Sequence, residues 1–472
     1  MKVTLRFIST IILLVTCLNA GWVKTYGGNK DERGSSAVQT SDGGYIITGW
    51  TYSFGTGNSD VYLIKTDASG DSVWVKTYGG SGWDGCRTVQ QTSDGGYIIA
   101  GETESFGDEM FDVYLIKTDA LGDTVWTRTY GGESYDIANS VEETSDGGYI
   151  IAGRTNSFGA GFKDFYLIKT DDSGDTVWTV TYGTEDWDDR FFSVQETSDG
   201  SYICAGYTGN ISASSDDICL VKFNASGDTV WSRTYGGKTS YDEGFSVRQT
   251  FDGGYIVTGR ATSFDADGRD AFLIKTDSSG EAVWIKTYGG SDDELGNCVK
   301  QTSDSGYIIT GWTSSFGAGG SDIYLVKTDA SGDTAWTRVY GGEDFDYGLS
   351  VQQTSDGGYI IAGETESFGA GGIDIYLLKT DSLGLLAVEE PATPETHPTF
   401  EIVTSIGSQI QLASYSQENQ ILNIFDASGR LVDELLIDGP GTTSWGDGFT
   451  PGVYFIREMG GVAPAQKVVL VN

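Results

Sequence analysis

The sequence has very little of the residues on which common enzyme chemistries depend. Its one histidine is His397, in a stretch that also contains Pro391, Pro394 and Pro398. A lone histidine outside the repeated region excludes Ser-His and Cys-His pairs and histidine metal sites from that region. Paired carboxylates remain available, but acids are so abundant that they are weakly diagnostic. No cofactor is predicted.

Cysteine, proline and methionine are also scarce. Apart from Cys17, the cysteines are Cys86, Cys204, Cys219 and Cys298, too few and too scattered for a disulfide scaffold or a C-x-x-C metal site. Six prolines and three methionines contrast with 68 glycines, 26 tyrosines and 21 phenylalanines. This composition favours short strands joined by tight turns over helices.

Basic residues are outnumbered by acidic ones. The 29 lysines and arginines against 67 aspartates and glutamates give a formal net charge of −38. Such a field repels phosphate backbones and anionic lipid, so nucleic acid is excluded as a partner. Acidity mildly favours Ca²⁺ as a partner, but solubility alone accounts for it.

The N-terminus has the pattern of a secretory signal peptide. Lys2 and Arg6 precede an apolar stretch, Phe7–Val15, and small and polar residues follow as far as Ala20. We therefore predict a signal peptide over residues 1–20 and export of the chain. The apolar stretch is too short to span a membrane, and no later segment offers a span.

A lipoprotein signal is the alternative reading of the same residues. Acylation would then fall on Cys17, after Thr16, which is a poor residue at that place. Only Leu18–Gly21 would remain as a tether before the first strand motif. Cleavage after Ala20 is favoured.

An internal repeat organises most of the chain. Variants of T-V-W-T-R-T-Y-G-G recur at spacings of 52 or 53 residues around seven tryptophans: Trp22, Trp74, Trp126, Trp178, Trp231, Trp284 and Trp336. Between them lie S-V-Q-Q-T, S-D-G-G, Y-I-I-A-G-E-T and D-I-Y-L-L-K-T-D in that order. Each unit predicts four short strands separated by turns, the content of one propeller blade.

The third copy serves to name the predicted strands. They are A (Ser140–Thr144), B (Tyr149–Thr155), C (Asp164–Thr170) and D (Thr176–Tyr182). Strands B and C are apolar on both faces, as expected of sheets packed between neighbouring sheets.

The two ends of the repeat predict that the ring is closed. The repeat begins with a D strand, Trp22–Tyr26, and ends with a C strand, Asp374–Thr380. If the first strand completes the last blade, residues 21–384 form a seven-bladed propeller without an open edge. A linear solenoid would need caps, and none is visible.

The repeat resembles the bacterial families of seven-bladed β-propeller repeat proteins over residues 22–381. This resemblance implies an all-β fold with four-stranded blades. It does not imply an activity, because such folds carry unrelated functions.

A second region follows a linker rich in proline and glutamate, residues 385–399. From residue 400 to 472 the segments I-F-D-A-S-G-R-L-V, W-G-D, P-G-V-Y-F-I-R and K-V-V-L resemble the C-terminal sorting domain of type IX secretion substrates. They are also similar to the immunoglobulin-like domain of flagellar hook-capping proteins. The resemblance implies a small immunoglobulin-like β-sandwich and passage across an outer membrane by a secretion machinery. A sandwich that only caps or spaces the propeller is the alternative.

Two acidic positions are kept in every copy. One opens strand C: Asp60, Asp112, Asp164, Asp217, Asp270, Asp322 and Asp374. We predict that it accepts backbone N–H bonds in the B–C turn rather than binding metal. The other lies in the D–A loop, often after an aromatic such as Trp83, Tyr135, Trp187, Tyr241 or Phe345, and is also expected to be structural: Glu32, Asp84, Asp136, Asp188, Asp242, Glu294 and Asp346.

One position varies within this uniform pattern and is the candidate ligand site. It directly follows the strand B glycine, next to the B–C and D–A loops: Trp50, Glu102, Arg154, Tyr207, Arg260, Trp312 and Glu364. Aromatic rings with arginine and glutamate groups suit recognition of carbohydrate or peptide. An exposed strand end that drifts without function is the alternative.

The fourth copy departs from the repeat at two cysteines. Cys204 and Cys219 replace large apolar residues on adjacent strands and are predicted to project to one face. An exported compartment would permit a disulfide between them. Two free buried thiols are the alternative.

These observations predict a monomeric propeller, secreted or on the outer cell surface, that binds glycan or protein without catalysis. A carboxylate-based polysaccharide hydrolase or lyase on the same face is the alternative.

Overall fold

A computed structural model describes two compact units of the chain. In the first unit the described residues are 21–108, 110–184, 188–210, 215–237, 240–264 and 268–386. In the second they are 400–404, 406–407, 409–414, 420–426, 430–439, 441–458 and 466–470. Within these ranges every regular element is a strand. No helix in the described residues has the length and apolarity needed to cross a membrane.

The first unit contains 28 strands in seven four-stranded sheets, called blades 1 to 7. The first strand is β1 (Trp22–Tyr26). Blade 1 consists of β2 (Glu32–Gln39), β3 (Tyr45–Thr51), β4 (Asp60–Thr66) and β5 (Ser72–Tyr78). Blade 2 consists of β6 (Asp84–Gln91), β7 (Tyr97–Thr103), β8 (Asp112–Thr118) and β9 (Thr124–Tyr130). Blade 3 consists of β10 (Asp136–Glu143), β11 (Tyr149–Thr155), β12 (Asp164–Thr170) and β13 (Thr176–Tyr182).

The remaining blades follow the same order. Blade 4 consists of β14 (Arg190–Glu196), β15 (Tyr202–Asn210), β16 (Ser215–Phe223) and β17 (Thr229–Tyr235). Blade 5 consists of β18 (Glu243–Gln249), β19 (Tyr255–Ala261), β20 (Asp270–Thr276) and β21 (Ala282–Tyr288). Blade 6 consists of β22 (Glu294–Gln301), β23 (Tyr307–Thr313), β24 (Asp322–Thr328) and β25 (Thr334–Tyr340). Blade 7 consists of β26 (Asp346–Gln353), β27 (Tyr359–Thr365), β28 (Asp374–Thr380) and β1.

The pairing of β1 with β28 confirms the predicted closure. The two strands are antiparallel, with Trp22 opposite Lys379 and Tyr26 opposite Ile375. The first strands of successive blades also contact one another all the way round, from β2 through β26 and back to β2. The blades therefore form a closed ring around a central channel.

Each outer strand is anchored on the next blade. In blade 7 the Trp22 ring packs edge-on against Tyr45 of blade 1, with ring centroids 5.6 Å apart. The Tyr26 hydroxyl donates to the carbonyl oxygen of Gly70, in the C–D turn of blade 1, at 2.5 Å. The same tyrosine-to-glycine bond joins blades 1 and 2 through Tyr78 and Gly122 at 2.6 Å. The closing contact thus repeats the contact used elsewhere in the ring.

The sequence located three strands of the repeat at their observed bounds and misplaced the fourth. In blade 3, strands B, C and D begin and end as predicted, but strand A begins at Asp136 rather than Ser140. A β-bulge between Ala138 and Ser140 accounts for the difference, because its extra residue interrupts the alternation that marks a strand.

The second unit contains β29 (Phe400–Thr404), β30 (Ile406–Gly407), β31 (Ile410–Ser414), β32 (Gln420–Asp426), β33 (Leu431–Ile437), β34 (Gly441–Trp445), β35 (Gly452–Glu458) and β36 (Gln466–Leu470). They form one sheet of three strands and one of five. Leu412 and Trp445 from the first sheet share a buried cluster with Ile424 and Ile456 from the second.

We expect Trp22→Ala to lower the free energy of unfolding by about 2 to 4 kcal/mol, because it removes a half-buried ring from the closing contact. Val23→Ala is the matched control on the same strand, since the Val23 side chain is 38% exposed, and should cost less than about 1 kcal/mol. Urea denaturation of both variants measures the difference. Equal losses would contradict a closing role for Trp22.

Candidate functional site

The varying ring predicted from the sequence lies where each strand B ends beside the start of strand A. Each of its seven members is paired across the ladder with a strand A residue, so a second variable ring lies beside the first. The pairs are Trp50–Arg33, Glu102–Gly85, Arg154–Ile137, Tyr207–Arg190, Arg260–Glu243, Trp312–Leu295 and Glu364–Tyr347.

A third variable ring comes from the bulge that every strand A contains two residues after that pair. The extra residue of the bulge is unpaired in the ladder, and its identity changes from blade to blade: Ser35, Arg87, Asn139, Phe192, Phe245, Asn297 and Leu349. Neither of these added rings was predicted from the sequence. Three positions of strand A vary among otherwise similar copies, and this variation is the signal in the sequence that could have indicated both rings.

The varying ring is not an exposed strand end. Tyr207 and Glu364 are buried, and the other five members are half-buried. The ring members are therefore packed rather than fully solvated, and their role in ligand binding stays a prediction.

Three members of the ring line one cavity of about 400 Å³, called the mouth cavity. Trp50, Trp312 and Glu364 come from blades 1, 6 and 7, whose positions in the closed ring are adjacent. The other lining residues are Arg33, Ser35, Arg87, Asn297, Tyr347 and Leu349. The two rings added by the structure therefore supply most of the wall.

Aromatic and charged groups alternate around this cavity. Trp312 and Tyr347 form an edge-to-face pair with ring centroids 6.0 Å apart. Arg33 Nη1 lies 3.2 Å from Glu364 Oε2 and so links blade 1 to blade 7. Asn297 Nδ2 donates to the carbonyl oxygen of Gly348 at 2.8 Å. The cavity combines flat apolar faces with fixed hydrogen-bonding groups.

Glu364 is the one carboxylate among the described residues that line the mouth cavity. Burial raises its pKa to about 7, and nearby Glu366 and Asp31 act in the same direction, whereas Arg33 opposes the rise. The side chain is therefore partly protonated near neutral pH and can both donate and accept a hydrogen bond.

Three of the other four ring members are engaged within their own blades. Glu102 holds Arg87, with Nη2 to Oε1 at 2.9 Å, and Arg260 Nε lies 2.9 Å from Glu243 Oε2. The Arg190 guanidinium lies over the Tyr207 ring at 5.8 Å. The mouth cavity therefore gathers three of the seven predicted residues, and the other four lie outside its lining.

Arg154 is the ring member with the least neutralised charge. Burial and the neighbouring guanidiniums of Arg190 and Arg87 lower its pKa. Its own ladder partner is the apolar Ile137. Arg154 therefore adds a positive charge close to two other guanidiniums, of which that of Arg87 is ion-paired with Glu102.

The repeated acids have the structural role predicted for them. Thr56 N donates to Asp60 Oδ2 at 2.7 Å in the B–C turn of blade 1, and Ala370 N donates to Asp374 Oδ2 at 2.7 Å in blade 7. In the D–A loop, Gly80 N donates to Asp84 Oδ2 at 2.8 Å. Among the described residues no group of three or more acid, histidine or cysteine side chains could hold a metal ion.

These two acids also explain the Y-G pair that all seven copies keep. A Cβ on Gly79 would overlap the carboxylates of both Asp60 and Asp84. Only glycine permits so close an approach at this point.

One of the repeated acids was assigned to the wrong residue. In the fourth copy Asp189, not Asp188, accepts the loop bond, from Thr184 N at 2.7 Å. The loop is one residue longer there, which shifts the position by one. Asp188 instead forms an ion pair with Lys163.

The predicted disulfide is not formed in the structure. Cys204 and Cys219 lie in one buried cluster, as the same-face prediction requires, but both are free. Cys204 is opposite Val221 and Cys219 is opposite Gly206, so the thiols are diagonal neighbours. Diagonal pairs are about 7 to 8 Å apart, beyond the usual reach of a disulfide.

A second feature at this end of the A strands is a set of exposed aromatic residues in the D–A loops, called the aromatic rim. It consists of Trp83, Tyr135, Tyr241 and Phe345, which are 38 to 51% exposed. Trp83 is held by an edge contact with Tyr52 at 5.5 Å, and Tyr135 stacks on Phe111 at 5.8 Å. Trp187, the fifth such residue in the sequence, lies outside the described residues.

Seven four-stranded sheets in a closed ring define the first unit as a β-propeller. No family model matches the sequence. The chain is similar to the regulatory protein FlaEY of Caulobacter vibrioides, with 26% identity over 281 residues. The match covers 51% of this chain and 28% of FlaEY, so the chain spans well under two thirds of that relative.

Solved structures with a similar fold are distant in sequence. The WD40 domain of Neurospora crassa Pan2 is 10% identical to this chain and has a TM-score of 0.46. The match covers 74% of this chain and 89% of that domain. The β-propeller domain of the Trilobed protease from Pyrococcus furiosus is 7% identical, with 77% and 99% coverage and a TM-score of 0.42.

We expect Glu364→Gln to change how stability depends on pH. Because the pKa of Glu364 is raised by folding, its contribution is present below about pH 4.5 and is lost as the pH rises through about 7. The variant should therefore be more stable than the wild type at pH 8, by about 2 to 3 kcal/mol, and equal to it at pH 4.5. Denaturation at the two pH values measures this. If the stability difference between the variant and the wild type is the same at both pH values, the pKa of Glu364 is not raised.

Proposed function

We propose that this chain is a binding propeller that holds a glycan or protein ligand at the mouth cavity and the aromatic rim. The observation that carries the proposal is the convergence of Trp50, Trp312 and Tyr347 with Arg33 and Glu364 in one cavity. Aromatic faces bind the apolar faces of sugars and peptides, and the polar groups fix orientation.

Binding is favoured over polysaccharide cleavage by the same cavity. Glycoside hydrolysis uses two carboxyl groups about 5 to 10 Å apart. Among the described lining residues Glu364 is the one carboxylate, so the second carboxyl group that this chemistry needs is not among them. FlaEY is described as a regulatory protein, and a regulatory role by binding agrees with this proposal.

We expect the full-length protein to bind ligands on a glycan or peptide array, and Trp312→Ala to weaken that binding about tenfold or more. Trp83→Ala tests the rim: weaker binding indicates an extended ligand, and unchanged binding confines the ligand to the cavity. Val177→Ala is the control, because Val177 is 60% exposed on an outer strand. Equal binding by Trp312→Ala and the wild type would refute a ligand in the mouth cavity.

Export of the protein to the extracellular space or the outer cell surface is part of the proposal. It is supported by the signal-peptide pattern of residues 1–20 and by the resemblance of residues 400–472 to type IX sorting domains. We expect the protein recovered from a host with that secretion system to begin at Gly21. N-terminal sequencing checks this, and an acylated Cys17 or an uncleaved Met1 would contradict it.

A further inference from the structure

The central channel contains a second cavity, distinct in position from the mouth cavity. It measures about 540 Å³ and is lined by the later residues of all seven A strands. It extends to Phe251 in the A–B turn of blade 5. The A–B turns lie at the opposite end of strand A from the mouth.

One ring of residues in this cavity joins neighbouring blades. The side-chain oxygen of Gln90 accepts a bond from Glu143 N of the next blade at 2.8 Å, and Gln195 accepts one from Gln249 N at 2.7 Å. Gln352 does the same for Gln39 N at 2.9 Å, which joins blade 7 to blade 1. Glu142 Oε2 serves Glu196 N at 3.2 Å.

Two blades replace this acceptor with a cation. Arg248 of blade 5 and Lys300 of blade 6 occupy the same ring position and line the same cavity. Neither side chain can accept a hydrogen bond, so both have lost the joining role of the ring. Arg248 Nη1 donates to Val247 O at 2.7 Å and to Ser193 Oγ at 3.2 Å.

Lys300 differs from almost every other described lysine. The side chains of eleven described lysines form ion pairs with aspartates: Lys24, Lys65, Lys76, Lys117, Lys163, Lys169, Lys222, Lys275, Lys286, Lys327 and Lys379. Lys300 is half-buried and has no such partner among the described residues, and Lys30, which also has none there, is exposed. Burial and Arg248 lower the pKa of Lys300 to about 8, while Cys298 and Glu142 oppose the fall.

A third departure from the repeat lies at the same end of the channel. The residue after the threonine that follows strand A is serine in six copies of the repeat and Phe251 in blade 5. Phe251 N still donates to Gln301 Oε1 at 2.8 Å, as Ser303 N does to Gln353 at 2.9 Å. The backbone role is therefore kept, while a ring that is 73% exposed has been added to the lining of the cavity that holds the two cations.

We propose that this end of the channel binds a small organic carboxylate, with the anionic group between Arg248 and Lys300 and its apolar part against Phe251. With Glu142 the two cations leave the cavity one positive charge in excess, inside a chain of net charge −38. A charge-assisted bond to a carboxylate would give the Lys300 ammonium the partner it lacks. This site is independent of the mouth cavity, and its failure would leave the proposed function intact.

The test is calorimetric titration of the full-length protein at pH 6.5 and low salt with benzoate, acetate, phosphate and benzamidine. Benzoate should bind more tightly than acetate, because only benzoate contacts Phe251, and benzamidine, a cation of similar shape, should not bind. Phosphate binding without benzoate binding would overturn the assignment to carboxylates, and no binding of any anion would overturn the site.

The variants are chosen so that loss of folding cannot mimic loss of binding. Lys300→Gln and Arg248→Gln install the residue that blades 2, 4 and 7 already carry, so thermal stability should be retained. Each should weaken benzoate binding about tenfold or more. Phe251→Ser, which restores the repeat, should weaken benzoate but not acetate.

Two further variants complete the design. Lys30→Met removes an exposed lysine without an ion pair and should leave benzoate binding unchanged. Lys300→Arg should retain binding at pH 9.5, where the wild type weakens as Lys300 loses its proton beside Arg248, Glu142 and Cys298. Equal benzoate binding by the wild type and Lys300→Gln would refute the proposal.

Discussion

The pairing of the first strand with the last blade is the constraint on which the rest of the propeller depends. Without β1 the outer edge of β28 would present unpaired backbone groups, a state that proteins avoid because it invites aggregation. The pairing also places Trp22 and Tyr26 on blade 1. Trp22 there repeats a tryptophan–tyrosine contact made by all seven neighbouring pairs of blades, and Tyr26 repeats a tyrosine–glycine bond made by six of them. The N-terminal residues thereby join the two ends of the repeat.

Closure matters for function because both cavities are built from several blades. The mouth cavity takes Arg33 from blade 1 and Glu364 from blade 7, and their ion pair spans the junction at which the ring closes. The channel cavity takes one wall from each A strand, including those on either side of the same junction. Neither arrangement exists in a single repeat.

The repeat made the fold predictable and the sites only partly so. Strands B, C and D, the closing strand and the role of Asp60 followed from patterns kept in seven copies. The bulge at Asn139 and the shift from Asp188 to Asp189 did not, because each depends on one residue of register that composition does not record. The rings containing Arg33 and Arg87 were missed for the same reason, since the bulge decides which strand A residues project at the mouth.

Within one chain, positions kept in all seven copies and positions that vary have different physical meanings. The kept acids accept backbone N–H bonds, as Asp84 does from Gly80, and the kept glycines leave room for their carboxylates, as Gly79 does. A change at either position costs stability in any blade. The varying positions lie beside the two ends of strand A. No contact common to all blades holds them to one residue: Lys300, for example, has given up the acceptor role that Gln90 keeps, and such positions are the ones proposed for binding.

Hydrogen–deuterium exchange of the full-length protein, read by mass spectrometry, tests the central claim of closure most directly. If β1 completes blade 7, peptides covering Trp22–Tyr26 and Asp374–Thr380 will exchange as slowly as those covering Ser72–Tyr78 and Asp60–Thr66, the equivalent strands of blade 1. Rapid exchange of residues 22–26, with slow exchange of residues 72–78, would show that the first strand does not close the ring.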